Sequence, residues 1–217
     1  MKLLLLSLFV FSTAAFSQVQ GLTITNSFQV DKEGYVFRGR EPKAKVSELL
    51  NIGITDVVIF KNETETEVQD EMAELERLSI SAHHIPFRWK DFPSMIEACE
   101  QTVDALNIIT KVKAKKGKVY FHCSVGEDRT GMLAGLYRML EERVTKEAVF
   151  KTEMCARGYS DGDVHKPGMV VAAIQKELTP LFLALSQKIE SGDWVPGKIN
   201  KLSCKNIVLK PTKLKCR

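Results

Sequence analysis

Cys123 and Arg129 have five residues between them in the run His122-Cys123-Ser124-Val125-Gly126-Glu127-Asp128-Arg129-Thr130-Gly131, a spacing that lets one loop close around a phosphate. A cysteine attacks phosphorus only as its thiolate. An arginine can then hold the phosphoryl oxygens with two parallel N–H donors as charge spreads over them in the transition state, which the point charge of a lysine does less well. Gly126 offers a bend that turns backbone N–H groups inward. Thr130 puts a hydroxyl near the sulfur, where it can stabilise the thiolate as leaving group when a phosphocysteine breaks down. His122 would orient the loop, and Ser124, Val125, Gly126, Glu127 and Asp128 would line the bound phosphate.

Such a loop needs a strand in front and a helix behind. Lys118-Val119-Tyr120-Phe121 is β-branched and aromatic, and Met132 to Leu140 suits a helix, so the loop is expected to run from a strand to a helix N-terminus. Unpaired N–H groups and roughly half a positive charge from the helix dipole favour an anion there. The leaving oxygen also needs a proton donor. Ala82 to Phe87 reads as a strand, and Arg88-Trp89-Lys90-Asp91-Phe92-Pro93-Ser94 follows as a loop. Asp91 is the first candidate acid, and Asp128, inside the loop itself, is the second.

These motifs resemble those of the protein tyrosine phosphatase superfamily, on its dual-specificity and inositol-phosphatase side. The loop matches the general pattern His-Cys-x-x-Gly-x-x-Arg-[Ser/Thr], and Asp91, with Trp89 before it and Pro93 after, is similar to the family's acid loop. Tyr35 to Pro42 followed by Leu49 to Phe60 resembles the opening of small dual-specificity and phytase-like members. The resemblance spans most of residues 34 to 160. It implies hydrolysis of phosphomonoesters through a phosphocysteine on Cys123, with no cofactor. His83, His84 and His165 lack metal-ligand spacing, so no metal is assigned.

The substrate is less determined. Relatives with Lys-Asp-Arg in the loop act on phosphoinositides or inositol phosphates, whereas Glu127 stands here at the lysine position and subtracts a cation. Arg38, Arg40, Arg88 and Lys90 could gather further phosphates; their convergence would favour a polyphosphorylated inositol, and their dispersal phosphotyrosine or an aryl phosphate. A dual-specificity-like enzyme leads, with inositol phosphates second. A phosphate-binding module without turnover is a third reading, opposed by the joint presence of Cys123, Arg129, Thr130 and Asp91. A sulfur-transfer or arsenate-reducing enzyme is the last, and the acid loop discriminates against it.

Alternating strands and helices predict an α/β fold with a central, mainly parallel sheet flanked by helices on both faces. Thr64-x-x-Glu67 and Ser94-x-x-Glu97 read as capping boxes. The helices they open would bury Val68, Met72, Leu75 and Leu78, and Ile96, Cys99, Val103, Leu106 and Ile109, respectively. Lys113, Lys115, Lys116 and Gly117 signal the end of the second. Apolar positions beyond Arg143, from Val149 to Leu185, suggest further helices packed on one side.

At 217 residues the chain suits one domain with additions. Met1-Lys2, the apolar run Leu3 to Phe11 and Ala15-Phe16-Ser17 read as a signal peptide of residues 1–17, ahead of a phosphatase domain at 18–193 and a basic tail at 194–217. A secreted or periplasmic location follows. The apolar run falls short of the roughly twenty residues that span a bilayer, so no transmembrane anchor is expected. A net charge of +4 is too small to imply nucleic-acid binding. The cations Lys198, Lys201, Lys205, Lys210, Lys213, Lys215 and Arg217 nevertheless share the tail with no acidic residue. With Cys123 kept as a thiol, Cys99, Cys155, Cys204 and Cys216 allow two disulfides in three connectivities. Cys99–Cys155 with Cys204–Cys216 is the pairing taken first. Export would also expose a reactive thiolate to oxidation.

Overall fold

The computed structural model describes residues 19–207 and 214–217; the expected signal peptide, residues 1–17, lies outside them, as do Lys210 and Lys213 of the basic tail. Five strands, β1 (Phe28–Gln29), β2 (Val36–Arg40), β3 (Asp56–Phe60), β4 (Ser81–Ile85) and β5 (Val119–Cys123), form one sheet in the order β1-β2-β5-β3-β4. Only β1 is antiparallel to its neighbour. The sheet is therefore mainly parallel, as expected.

Successive strand side chains point to opposite faces, and β3 shows both cores. Val57 and Ile59 pack with helices α1 (Val46–Asn51) and α2 (Glu67–Arg77) on one face, whereas Val58 and Phe60 join the larger core on the other. That larger core is built from α3 (Met95–Ala114), α4 (Asp128–Glu142), α5 (Lys146–Val149), α6 (Gly168–Ala173) and α7 (Thr179–Glu190). All five residues of β5 are buried. Cys123 therefore ends a central strand at the carboxyl edge of a parallel sheet, where α/β folds bind ligands.

The two predicted helix faces are found, each with one change. On α2, Val68 and Leu75 are buried and Met72 and Leu78 pack against the same core, but the carboxylate of Glu71 is buried among them. On α3, Cys99, Val103, Leu106 and Ile109 face inward, whereas Ile96 is 42% exposed. Ser94 caps α3 as expected, accepting from the Glu97 N–H, but Glu97 turns along the helix to Gln101. The box at Thr64 is also altered: Glu67 accepts from both the Thr64 N–H and its hydroxyl, and α2 begins only at Glu67.

Beyond α4, the turns Phe150–Met154 and Ile174–Leu178 are wound more widely than an α-helix without breaking the helical path. The continuous helical run from Gly168 to Glu190 is apolar and long enough to cross a membrane; its Ile174, Leu178, Leu181, Phe182 and Leu185 are fully buried in the core. Trp194, Ile199 and Cys204, within the basic segment, join the same core.

The disulfides correct the expected pairing: Cys99 is bonded to Cys204 and Cys155 to Cys216. A short turn of helix at Lys201–Asn206 carries Cys204 to α3, leaving 5.7 Å between the Cα atoms of Cys99 and Cys204. The C-terminus meanwhile folds back on Asp161, which accepts from the Cys216 N–H. Spacing along the chain does not reveal either return. The bridged residues are 105 and 61 apart, so the closures stabilise the fold by about 5 and about 4 kcal/mol in the chain-entropy account.

Candidate active site

The segment 124–127 between β5 and α4 is held by its carbonyls. The Cys123 carbonyl accepts from the Glu41 N–H at 3.1 Å and meets His122 Nδ1 at 3.1 Å. Asn26 donates to the Val125 carbonyl at 3.0 Å, and Arg38 to that of Gly126 at 2.8 Å. With the carbonyls drawn outward by donors on other elements, the N–H groups of Gly126 and Thr130 turn toward Cys123, the kind of concave arrangement that binds anions. Gly126 has φ +83°, and a Cβ there would collide with the backbone of Gly39 and Arg40 on β2. The loop is wedged against that strand, and only glycine fits.

Cys123 is buried and is the one free cysteine among the described residues. Burial pushes its thiol up, but Arg129, the Thr130 hydroxyl and the N–H groups of Thr130 and Gly126 outweigh it and bring the pKa down to about 7, the range of reactive cysteines. The Thr130 hydroxyl is buried without a well-formed hydrogen bond among the described residues, and it lies near enough to the sulfur to help bring the thiol down. Arg129 donates to the Phe87 carbonyl at 2.9 Å from one terminal nitrogen and to Ser124 Oγ at 3.2 Å from the other. It thus ties the loop to the first residue of the segment bearing Asp91.

That segment is anchored at its two ends. Phe87 is fully buried, stacks on Phe60 with centroids 4.2 Å apart and meets the edge of Phe92, while the Phe92 N–H donates to Glu177 at 3.1 Å. Between these anchors Arg88, Lys90 and Asp91 are exposed. Asp91 has φ +52° and is 73% exposed, with Lys90 Nζ at 3.8 Å. Such a pair in solvent contributes little.

The other expected phosphate contacts separate. Arg38 does not face the loop's interior: it is fully buried beneath it, bonded to the carbonyls of Gly126 and Glu153 and 3.6 Å from the Glu153 carboxylate. Burial lowers its pKa to about 10 against the pull of Glu153, so it remains a cation. Glu127 turns to Lys166 at 3.0 Å, and Asp128 accepts from Lys166 at 2.7 Å and from the Ser160 N–H at 2.7 Å. Asp128 is thus committed to Lys166 and Ser160, whereas Asp91, the other candidate acid, stands exposed in its loop. His122 is buried, with Nε2 2.8 Å from Glu71.

Asn26, Glu71, Lys166 and Glu177 were not anticipated. Glu71 alone left a trace in the sequence, a carboxylate spaced between Val68 and Leu75 on one helical stripe. The other three approach from far along the chain.

A model of the tyrosine phosphatase family matches residues 18–151. No protein of curated function matches the chain. Among solved structures, Tk-PTP in its active form superposes with a TM-score of 0.57 at 20% identity, covering 75% of this chain and 97% of that one. A variant of P. aeruginosa TpbA in complex with phosphotyrosine gives 0.54 at 20% identity, over 81% and 98%. The core catalytic domain of the PP-IP phosphatase SIW14 from S. cerevisiae, in complex with citrate, gives 0.51 at 17% identity, over 81% and 97%. At these identities the likeness is one of fold.

Proposed function

The chain belongs to the tyrosine phosphatase family and is a phosphoric monoester hydrolase, and from that premise we propose that it works through a phosphocysteine on Cys123. The observation that carries this is the thiol brought down to about 7 between Arg129, Thr130 and inward amides. The thiolate attacks phosphorus while Arg129 and the loop N–H groups hold the phosphoryl oxygens. Asp91 gives its proton to the leaving oxygen, so the ester oxygen departs as an alcohol or phenol. Water then attacks the phosphocysteine, its proton returning to Asp91, and the sulfur leaves as thiolate stabilised by the Thr130 hydroxyl.

The preferred substrate is a phosphorylated protein rather than an inositol polyphosphate. Beside Ser124 lies a cavity of about 640 Å³ walled by Glu41, Glu65, Glu67, Asp70, Glu71 and Glu74, with Lys43 and Lys61 both paired to Glu41. Phosphates added around an inositol ring would meet repulsion on that side. Arg38 lies beneath the loop and Lys166 neutralises Glu127 and Asp128, which leaves Arg88 and Lys90 as the exposed cations of the acid loop.

The test is turnover of an aryl phosphate by the reduced native chain and by Cys123→Ser, followed by a phosphotyrosine peptide and inositol hexakisphosphate at equal concentration. Activity lost in the variant, and higher kcat/KM on the peptide, is expected. Equal rates in both proteins would remove the phosphocysteine; preference for the inositol would reverse the substrate. Export, with residues 1–17 removed, is also proposed and is supported by the two disulfides. Mass spectrometry of the secreted product, showing a chain that begins at Gln18, is its check.

A further inference from the structure

Glu71 stands on the inner stripe of α2, in line with Val68 and Leu75, and is 8% exposed. A carboxylate there is costly to bury unless something answers its charge. Its Oε1 lies 2.8 Å from Nε2 of His122, a residue with no exposed surface on β5. The other ring nitrogen, Nδ1, lies 3.1 Å from the carbonyl of Cys123.

A carbonyl oxygen only accepts, so Nδ1 must carry a proton. At Nε2, a bare lone pair facing a carboxylate at 2.8 Å would be repulsive, so a second proton lies between ring and carboxylate. With acceptors at both ends, the ring is held as imidazolium. Its pKa is raised: burial alone would lower it, but Glu71, by charge and by hydrogen bond, and the Cys123 carbonyl and thiolate prevail.

The sulfur gains from this arrangement: the charge of Cys123 acts on the His122 ring, and Glu71 meets that ring at Nε2, the nitrogen opposite the one that faces the Cys123 carbonyl. Cys123 follows His122 directly, whereas Glu71 lies on the far side of the ring. The pair therefore presents the positive end of a neutral dipole to the thiolate. Because the thiolate raises His122, the imidazolium must favour the thiolate in return. The Cys123 carbonyl, bonded also to the Glu41 N–H, is fixed away from the loop's interior.

Resting on the reading of Cys123 as nucleophile, we propose that Glu71 is a positioning residue that keeps His122 doubly protonated and so favours the thiolate of Cys123. The surrounding charges stay fixed by their own partners. Lys61 binds Glu41 at 2.6 Å and Glu67 at 3.4 Å. Tyr120, whose ring is 5.9 Å from that of His122, donates to the Arg40 carbonyl. Asp70, Glu74 and Lys43 line the outer cavity beside Glu71; Arg129 and Arg38 lie on the loop's side.

The experiment is alkylation of Cys123 by iodoacetamide across pH, on the disulfide-intact chain and on Glu71→Gln. The amide can donate to a neutral Nε2, so it keeps a hydrogen bond and removes only the proton. The alkylation midpoint is expected to rise by about half to one unit, a thiolate fraction about three to ten times smaller at about pH 6. An unmoved midpoint in a folded variant overturns the proposal. Should the variant not fold, nitrogen NMR of the histidines in the native chain decides. A doubly protonated His122 at about pH 7.5, above the ordinary histidine range, supports the proposal, and a single neutral tautomer overturns it. Neither measurement needs turnover, so failure here is distinct from failure of the phosphatase reading.

Discussion

The two halves of the site are built to different standards. In the phosphate-binding loop the carbonyls of Cys123, Val125 and Gly126 each have an external donor, and Cys123, Arg129 and Thr130 are buried. In the acid loop Phe87 and Phe92 are anchored, yet Asp91 between them is 73% exposed, with Lys90 at 3.8 Å its ion-pair partner among the described residues. Attack on phosphorus needs a thiolate and amides already in place, since reorganising them during reaction would raise the barrier. A proton donor must wait for the leaving oxygen and can be completed when substrate arrives. On the proposed mechanism, the difference teaches that the nucleophile is organised by the fold and the acid by the substrate.

Perturbations of the buried half should therefore outrank those of the exposed half. Cys123→Ser is expected to bring turnover to the uncatalysed level, and Arg129→Lys to lower kcat/KM about a thousandfold, as for loss of a key transition-state donor; comparable losses at any acid-loop position would break the ranking. Asp91→Asn should cost about a hundredfold, mostly in kcat, with the alkylation midpoint of Cys123 unchanged. A larger loss for Asp128→Asn would return the acid to the other candidate.

For the native chain, kcat/KM should rise with pH through about 7 as the thiolate forms, and a limb centred near the ordinary thiol value of 9.0 would show that the loop does not act on the sulfur. Lys166→Met removes the cation from a largely buried trio, 7% exposed against 14% for Glu127 and 18% for Asp128. Its urea-unfolding free energy should fall by about 3 kcal/mol, and an unchanged value would mean the trio is solvated. The smallest effect is expected at Glu177→Ala, which frees the Phe92 N–H. A drop of about fivefold in kcat with the thiol midpoint unmoved would confine the change to the acid loop.

Legibility followed distance along the chain. The strand, loop and helix around Cys123 are continuous, and β3, β5 and α4 were readable because each is an apolar run buried almost throughout and bounded by turn residues. The family resemblance then supplied Asp91. The partners that hold the loop come from elsewhere: Asn26 lies 99 residues from Val125, and Lys166 lies 38 from Asp128. Arg38 was visible as a cation, but the sequence carried no sign that it lies beneath the loop with Glu153. Glu71 was the exception, since a charge on an apolar stripe asks for a buried partner. The disulfides were hidden for the same reason as Lys166, because the C-terminal segment returns over α3 and over Asp161.

The connectivity of those disulfides constrains how the chain can be made. In order of synthesis the cysteines are 99, 123, 155, 204 and 216, and the native bonds join the first to the fourth and the third to the fifth. A chain emerging N-terminus first into an oxidising space presents Cys99 with Cys123 and then Cys155 as partners before Cys204 exists. Both bonds are non-native, and one of them would cap the nucleophile. Native pairing must therefore wait for the last two cysteines or be reached by thiol–disulfide exchange. On the proposed export, maturation by the second route calls for an isomerase or its equivalent as well as an oxidant, a requirement that a protein with consecutively paired cysteines would not share.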